Sequence, residues 1–522
     1  MPTPVEMRLE TVYDKPRRSF GVQEYDLLAI DRVQGTADMN FVFFFDTPEP
    51  GTEHPSTQCF HESLIRAIQA FPILTGHIVK NSSSRWNRSG RGNTGDRWSV
   101  VVDPNRINWP VISECKLGDV CLAQVKDSLY RWNEWPAETR MADLHTIPAQ
   151  PLFGLHIVRY ACGAVSIHTK MRHQVMDGNG LFRFYYAWAQ ICAGVYRGSG
   201  GCKSFRLSVT EYPLCDRLIC ASKMAAGSDA WVKQAPKSRK ATVDSASGAV
   251  ANRVYRYMAK LEVFLRQLAR YRRHTGGAVS LSRPPAQTMH RFSVSQAALH
   301  DLKLFYGSLA SCSPRNAFIR KHKIGYVTTN DLLLALFWRA TTRAHAAINP
   351  ADPHTCMSIA CDIRKRIALP STYTGNASFP LPIHLTKRMM LDTHTITDTA
   401  AYIRYHINLL SPEFSRQMSS LLASEKLLRQ FATMFHPDTS FFMASALAGF
   451  PMFENLDFGS GGPAHIDIPP YLAPGFSIWL PLNPDGRTFE SQCMSMNIAL
   501  RDDVFEYIVC DPEFRMFVNV IY

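Results

Sequence analysis

The amino-acid sequence predicts a mixed α/β protein built from two similar halves. The chain has 522 residues, which is too long for one ordinary hydrophobic core. Strand-like and helix-like segments alternate in both halves, which is typical of sheets covered by helices. Between the halves, glycine, serine, lysine and arginine become frequent. We therefore expect an N-terminal half over residues 1–197, a partly ordered crossover over residues 198–289 and a C-terminal half over residues 290–522.

The N-terminal half begins its folded pattern with a strand and a helix. Met39–Phe45 is aromatic and continuous, as expected of a buried strand. His61–Phe71 has apolar residues at helical spacing and leads into a proline. Two hairpins are predicted after it, formed by Ile78–Val79 with Trp98–Val102 and by Leu152–Tyr160 with Val165–Met171. Strands arranged around a helix in this way indicate a mixed sheet.

The C-terminal half repeats this composition, without a repeat of fixed period. Its most apolar segment, Thr328–His345, predicts a helix whose N-cap is Asn330 or Thr329. In the crossover before it, Tyr255–Tyr271 can be written as a helix with Leu261, Phe264, Leu265 and Leu268 on one side. The remaining predicted elements are the helices Ala297–Leu309 and Ala400–Leu410 and the strands Thr355–Ala360, Phe476–Leu482 and Met494–Ala499.

Composition narrows the class of protein. Hydrophobic residues make up 46% of the chain and charged residues 19%, as in soluble globular proteins. The 13 cysteines include no Cys-x-x-Cys pair, so we expect buried free thiols in a reducing compartment. No signal-like segment opens the sequence, and the longest mostly apolar run, Phe441–Phe453, is too short to span a bilayer. These features predict a cytoplasmic protein with no stable membrane insertion and no metal site.

The net charge of +13 raises nucleic acids, membrane surfaces and acidic small molecules as partners. The basic residues are scattered, however, and the densest clusters lie at Arg266–His274, Arg315–Lys323 and Arg364–Arg366. None of them accompanies a nucleic-acid-binding motif, so we expect no nucleic-acid partner. A solvated face is the favoured interpretation of each cluster, while a patch for a phosphorylated ligand remains open.

The segment His173–Gly178, with the sequence HQVMDG, is where we expect the chemistry. His173 follows the alternating segment Val165–Met171, which places it at the end of a predicted strand. Asp177 and Gly178 lie in a glycine-rich turn before the buried helical run Leu181–Ala193. The alternative is a core histidine beside a turn aspartate, and the short pattern alone does not decide between the two.

Two later segments extend this pattern. They are Ser358–Ala377, which contains Asp362-Ile363-Arg364 and Tyr373-Thr374-Gly375-Asn376-Ala377, and Ser445–Pro463, which contains Asp457-Phe458-Gly459. Together with His173–Gly178, these two segments resemble, in this order, motifs of the BAHD acyltransferases. The resemblance is greatest to the fungal branch that acylates secondary metabolites and includes trichothecene acetyltransferases. The resemblance implies two similar chloramphenicol acetyltransferase-like domains of mixed sheet and helices, with a channel between them.

The resemblance also implies roles for single residues. His173 would be the general base that takes the proton of the acceptor hydroxyl and then protonates the leaving thiolate. Asp177 and Gly178 would shape the loop that carries it, with Arg364 pairing Asp177; a surface charge is the alternative for Arg364. Ser445 would be a candidate donor to the oxyanion. Asp457, Phe458 and Gly459 would form a structural motif remote from the chemistry, and Asn376 would support its own turn.

Three positions depart from the pattern of the family and its relatives. Ser460 stands where the family usually has a tryptophan after Asp457-Phe458-Gly459, from which we expect local repacking. Arg172 stands where condensation domains of peptide synthetases have a second histidine, which argues against a condensation domain. Ala446 replaces the tryptophan of the family's Thr-Ser-Trp stretch, so that indole is absent.

The resemblance therefore predicts a monomeric acyl-CoA dependent O-acyltransferase that acylates a hydroxyl of a small secondary metabolite. Acyl-CoA would be a co-substrate, with acetyl-CoA the favoured donor, and no bound cofactor is expected. Candidates for the basic entrance that its phosphates need are Lys237, Arg239, Lys240, Arg315, Arg320 and Lys321. Three alternatives stay open: an acyl donor on a carrier protein, N-acylation of an amine, and a non-catalytic binding protein of the same fold.

Overall fold

The computed structural model describes most of the chain between residues 5 and 521. The described residues are 5–7, 22–27, 31, 37–81, 97–127, 135–198, 253–254, 256–265, 287–311, 317–369, 373–423, 440–469, 475–483 and 493–521. Most of the predicted crossover, including Leu268 and the basic residues Lys237, Arg239 and Lys240, lies outside them.

The chain divides into two compact units, and each unit is made of three separate segments of the sequence. The first unit contains Met1–Ala225, Leu369–Ala377 and Phe450–Pro469. The second contains Ala226–Ala368, Ser378–Gly449 and Pro470–Tyr522. Two segments of the predicted C-terminal half therefore belong to the first unit. Local sequence patterns carry no sign of this, because each segment is placed by contacts with residues far away along the chain.

The strands, numbered in chain order, are short to medium in length. They are β1 Val5–Met7, β2 Gln23–Asp26, β3 Asp38–Phe45, β4 His77–Asn81, β5 Arg97–Val102, β6 Val111–Leu117, β7 Phe153–Tyr160, β8 Val165–Arg172, β9 Gln287–Ser295, β10 His354–Asp362, β11 Ser378–Thr386, β12 Phe441–Ala446, β13 His465–Asp467, β14 Phe476–Trp479, β15 Cys493–Arg501 and β16 Asn519–Val520.

The α-helices are numbered in the same way. They are α1 Thr57–Ala70, α2 Leu122–Asp127, α3 Gly178–Tyr196, α4 Gln296–Tyr306, α5 Ala317–His322, α6 Thr329–Ile348, α7 Ile396–Ile407, α8 Pro412–Ala423, α9 Met452–Asn455, α10 Asp502–Cys510 and α11 Pro512–Arg515. Residues 256–265 are also helical, and Leu261, Phe264 and Leu265 are buried there as predicted.

In the first unit, the described strands form one sheet in the order β1-β6-β7-β8-β3-β13 and a smaller sheet in the order β2-β5-β4. Both predicted hairpins are confirmed, because β4 pairs antiparallel with β5 and β7 pairs antiparallel with β8. Strand β8 lies between β7 and β3, and all eight of its residues are buried. A strand covered on both faces is held rigidly, which suits the position just before His173.

Aromatic packing explains this burial. On one face of the sheet, Phe41 and Phe43 of β3 make edge contacts with Tyr185 of α3. The hydroxyl of Tyr185 also lies 2.6 Å from that of Thr169 in β8, so the two buried oxygens are paired. On the opposite face, Phe44 makes an edge contact with Trp135. Each face of β8 and β3 therefore has its own apolar layer.

The second unit contains a mixed sheet in the order β11-β10-β12-β14-β15-β9-β16 among its described strands. Helix α6 packs as an almost entirely buried element of this unit, as its apolar sequence predicts. The predicted N-cap was wrong: Thr328, rather than Asn330 or Thr329, caps the helix. Thr328 forms a capping box with Asp331, whose carboxylate also pairs with Arg404 at 2.6 Å.

Candidate active site

His173 follows directly after the last residue of β8. Its backbone N–H donates to the carbonyl of Ala37 at 3.0 Å, which extends the β3–β8 pairing by one step beyond the strand. The side chain is partly exposed, although the three residues after it are buried. The loop therefore leaves the sheet at His173 and presents that side chain at its edge.

Asp177 closes the loop as the N-cap of α3. Its Oδ1 accepts the backbone N–H of Gly180 at 3.1 Å, and its Oδ2 accepts the backbone N–H of Ala377 at 2.8 Å. The side chain is buried, and a carboxylate forms stronger hydrogen bonds with backbone N–H groups than a neutral acceptor does. Asp177 therefore ties the start of α3 to the segment Leu369–Ala377, which belongs to the same unit.

The glycines of this loop allow close approach of two backbones. A Cβ atom on Gly180 would lie 1.9 Å from the carbonyl oxygen of Thr374, so only glycine fits there. Gly178 begins α3 and is partly exposed. The sequence pattern singled out Gly178, but Gly180 is the residue whose missing side chain lets the loop reach residues 373–377.

Asn376 fastens the same segment to the histidine loop. Its Nδ2 donates to the backbone carbonyl of His173 at 2.9 Å and to that of Gln174 at 3.3 Å. It also donates to Oδ1 of Asp31, which is 1% exposed, at 2.8 Å. The expected role, support of its own turn, understates this function. Its partners lie about two hundred or more residues away, so no local pattern shows them.

The environment of the His173 imidazole favours its neutral form. Burial lowers the pKa of His173 from its ordinary value, while Asp177, Asn376 and Asp31 oppose that shift. Nδ1 of His173 and Oδ1 of Asn376 are both buried, and neither has a hydrogen-bond partner among the described residues. A neutral imidazole near neutral pH has a free lone pair and is competent to accept a proton.

Arg172 is the last residue of β8. Its side chain is buried, approaches Oδ1 of Asp38 with Nε at 3.7 Å and donates to Oε1 of Gln174 at 3.0 Å. Asp38 in turn accepts the backbone N–H of Leu144 at 2.9 Å. The arginine therefore connects the end of β8 to Asp38 of β3 and to the loop residue Gln174.

Arg364 and Ser445, the other two predicted site residues, lie in the second unit. Arg364 is buried and its Nη1 lies 3.1 Å from Oδ2 of Asp362, so the alternative of a surface charge is wrong. Ser445 is a half-buried residue of β12. The proposed partnership of Arg364 with Asp177 and the role of Ser445 toward an oxyanion stay predictions.

The motif Asp457-Phe458-Gly459 forms a separate cluster in the first unit. Oδ1 of Asp457 accepts the backbone N–H of Gly459 at 2.7 Å and that of Gly461 at 2.9 Å. Phe458 is buried and its ring centroid lies 4.8 Å from that of Trp188. Gly459 has φ of +127°, a conformation that side chains disfavour.

The position after this motif, Ser460, hydrogen-bonds to a histidine. Its hydroxyl lies 2.7 Å from Nδ1 of His54, whose Nε2 lies 2.7 Å from the carbonyl oxygen of Asp46. The small polar side chain thus holds the loop before α1.

The described residues contain no group of three or more histidine, cysteine, aspartate or glutamate side chains arranged to hold a metal ion. Within the same part of the chain, every helix is too short or too polar to cross a membrane. Of the predicted coenzyme A contacts, Lys321 is exposed on α5. Arg315 lies outside the described residues, as do Lys237, Arg239 and Lys240.

Comparison with known proteins supports the resemblance stated from the motifs. Residues 306–487 match the model of the Transferase family. Hydroxycinnamoyltransferase 2 of Oryza sativa subsp. japonica is 23% identical over 52% of this chain and 49% of its own length. Tryptamine benzoyltransferase 1 of the same plant is 25% identical over 35% of this chain and 36% of its own length. The chain thus spans about half or less of the length of these curated relatives.

The fold extends the similarity to nearly the whole chain. F. graminearum TRI101 complexed with coenzyme A and T-2 mycotoxin covers 96% of this chain and 100% of its own, with a TM-score of 0.65 at 15% identity. Vinorine synthase covers 95% of this chain and 93% of its own, with a TM-score of 0.54 at 14% identity. The predicted mixed α/β fold and the resemblance to the BAHD acyltransferases are thereby confirmed.

Proposed function

We propose that this chain, which shares the fold of the BAHD acyltransferases, transfers an acyl group from acyl-CoA to a hydroxyl of a small secondary metabolite. The observation that carries the proposal is the histidine loop. The backbone around His173 is fastened by Asn376 and Asp177, while Nδ1 of the ring has no hydrogen-bond partner among the described residues. The loop is thus ordered through its backbone, and the imidazole stays available for proton transfer.

The reaction needs one group that acts twice. The acceptor hydroxyl attacks the thioester carbonyl while His173 takes its proton, and the imidazolium then protonates the departing thiolate of coenzyme A. A neutral histidine suits the first step because its free nitrogen accepts the proton without prior deprotonation. General base catalysis of this type contributes about 10²- to 10⁴-fold to the rate.

Asn376 fits a positioning role in this scheme. Among the residues that the structure describes, its Oδ1 and the Nδ1 of His173 have no hydrogen-bond partner, and Asn376 opposes the lowering of the His173 pKa. A hydrogen bond from Nδ1–H to the amide oxygen would satisfy both atoms. That bond would place the remaining proton on Nδ1 and leave Nε2 as the base.

The donor assignment draws on neighbours with the same fold. TRI101 was crystallised with coenzyme A and with ethyl coenzyme A, which supports acyl-CoA as the co-substrate, with acetyl-CoA the favoured donor. The T-2 mycotoxin bound to that protein supports a small acceptor molecule. We further propose that the protein acts as a cytoplasmic monomer, that Ser445 donates to the oxyanion and that Arg364 pairs with Asp177.

An amine acceptor is the second candidate. Two of the curated relatives are named for tryptamine, as tryptamine benzoyltransferase 1 and tryptamine hydroxycinnamoyltransferase 2. A histidine base serves a hydroxyl and a primary amine equally well. Parallel assays with hydroxylated and amine acceptors distinguish O-acylation from N-acylation. We expect a higher kcat/KM for the hydroxylated acceptors.

The test of the proposal compares three proteins in an assay with acetyl-CoA and a panel of hydroxylated metabolites. We expect His173→Ala to lose at least about 100-fold in kcat with unchanged melting temperature, because only the base is removed. His300→Ala is the matched control, since His300 is exposed on α4. Full activity of His173→Ala would refute the assignment. Turnover with an acyl-loaded carrier protein alone would refute coenzyme A as the donor.

A further inference from the structure

Two cysteines from different helices face each other in the first unit. Cys59 lies in the first turn of α1, and Cys192 lies near the end of α3. Their sulfur atoms are 3.8 Å apart, and Sγ of Cys59 also lies 3.7 Å from the carbonyl oxygen of Cys192. A disulfide needs its sulfurs at about 2 Å, and these two sulfurs are already in direct contact.

Among the described residues, Cys59 lines a cleft. A cleft of about 590 Å³ is lined by Cys59 together with His54, Thr57, Lys116 and Arg159. Cys192 is fully buried and does not border it. A small reagent that enters the cleft therefore meets Cys59 first, with Cys192 directly behind it.

The pKa values of the two thiols shift in opposite directions. The hydrogen bond with Cys192 lowers the pKa of the Cys59 thiol, against the opposing effect of burial. The same hydrogen bond, with burial, raises the pKa of the Cys192 thiol. The first turn of a 14-residue helix also stabilises a thiolate. Because Cys59 lines the cleft and Cys192 is fully buried, Cys59 is assigned the attacking role and Cys192 the resolving role.

We propose that Cys59 and Cys192 form a reversible oxidation site for small hydroperoxides, of which hydrogen peroxide is the simplest. The Cys59 thiolate attacks one peroxide oxygen and breaks the O–O bond, which yields a sulfenic acid and, after protonation, water. The Cys192 sulfur then attacks the Cys59 sulfur and releases the second oxygen as water. Two thiols and one peroxide give one disulfide and two waters, and a dithiol reductant reverses the change.

The disulfide would join α1 to α3, the helix that packs on one face of the sheet. Helix α3 has Asp177 as its N-cap, and Cys192 lies about four turns from that cap. Because the cross-link encloses the segment that contains β8 and the histidine loop, it restricts the unfolded chain over that length. The oxidised protein should therefore melt at a higher temperature than the reduced protein.

A second pair, Cys121 and Cys162, provides an internal comparison. Sγ of Cys162 accepts the backbone N–H of Leu122 at 3.4 Å, and both cysteines are more exposed than Cys59. Exposure alone would make this pair the first to oxidise. Selective oxidation of Cys59 and Cys192 would instead show that the cleft and the sulfur contact decide reactivity.

Peptide mapping of the full chain after mild peroxide treatment tests the proposal. Remaining thiols are blocked with N-ethylmaleimide, and digests are compared with and without reduction by dithiothreitol. We expect a reducible cross-link between the peptides of Cys59 and Cys192, and two fewer blocked cysteines than the 13 present. Cys192→Ser should lose the cross-link and accumulate a Cys59 sulfenic acid that dimedone traps, whereas Cys115→Ser should retain the cross-link.

The same map contains the results that would overturn the proposal. If Cys59 and Cys192 are both recovered as blocked thiols while Cys121 and Cys162 are cross-linked, the proposed site is wrong. A Cys59 disulfide to a second chain would overturn it as well. The principal measurement uses the unmodified protein, so it does not depend on the folding of any variant.

Discussion

Replacement of Asp177 by asparagine separates a role in loop structure from a role in the reaction. Asparagine has almost the same shape, but one of its two terminal atoms is an NH₂ donor. In the protein, Oδ1 of Asp177 accepts from Gly180 and Oδ2 accepts from Ala377, both through backbone N–H groups. The variant keeps one of these bonds and places a donor against a donor at the other.

The cost follows from the burial of these groups. A hydrogen bond to a charged group contributes about 1.5–3 kcal/mol, and an unsatisfied buried N–H costs about 1–3 kcal/mol. Since the two effects overlap, Asp177→Asn should lower the free energy of unfolding by about 3 kcal/mol. For a domain of roughly 150–250 residues this corresponds to a melting temperature lower by about 6–12 °C. We expect kcat to fall because His173 loses its fixed loop.

The assay combines thermal unfolding with acyl transfer on the same preparations. Asp457→Asn is the control, because Asp457 also accepts two backbone N–H groups through its carboxylate but lies in the separate Asp457-Phe458-Gly459 cluster. Both of those bonds go to Oδ1, which the asparagine keeps as its amide oxygen, so that variant should retain nearly normal stability and kcat. An Asp177→Asn protein with an unchanged melting temperature and no activity would refute the structural role and indicate direct participation in the reaction.

Three further predictions concern the same loop. The acid limb of kcat/KM should lie below pH 6.5, because the pKa of His173 is lowered and activity is lost as falling pH protonates the base; a pH–rate profile with a limb above that value would contradict this. Asn376→Ala should lower the free energy of unfolding by about 3 kcal/mol, because it strips a donor from the buried Asp31 carboxylate; chemical denaturation measures the loss. Gly180→Ala should fail to yield folded protein by circular dichroism, whereas Gly194→Ala, whose Cβ would meet nothing within 4 Å, should fold normally.

Local sequence patterns were sufficient to predict those elements whose contacts are between residues close together in the sequence. The hairpin of β7 and β8, the turn at Asp177 and the buried helix α3 were all predicted, because each depends on residues within one short segment. The N-cap of α6 was misplaced by only one or two residues. The choice of Thr328 depends on its capping box with Asp331, which requires both side-chain positions.

Long-range pairings were beyond the reach of such patterns. Strand β13 has three residues, His465–Asp467, and pairs with Val42–Phe44 of β3. A three-residue strand is too short to show alternation, so nothing in its sequence separates it from a loop. The approach of Thr374 to Gly180 was unpredictable for the same reason. The sequence contains the glycine, but it does not show which distant backbone segment packs against it.

Asp177 and Asn376 hold the backbone of the loop, and His173 provides the base. This explains why a short pattern containing only His173 and Asp177 can indicate an active site. Each oxygen of Asp177 accepts a backbone N–H, so its carboxylate serves the chain that carries the histidine. Asn376 holds the carbonyl oxygens of His173 and Gln174, so it too acts on the backbone. The named bonds that hold the loop are made by its backbone, so none of them occupies a ring nitrogen of His173. The aspartate four residues after the histidine therefore serves to hold the loop in shape. The position of the His173 base follows from the shape of that loop.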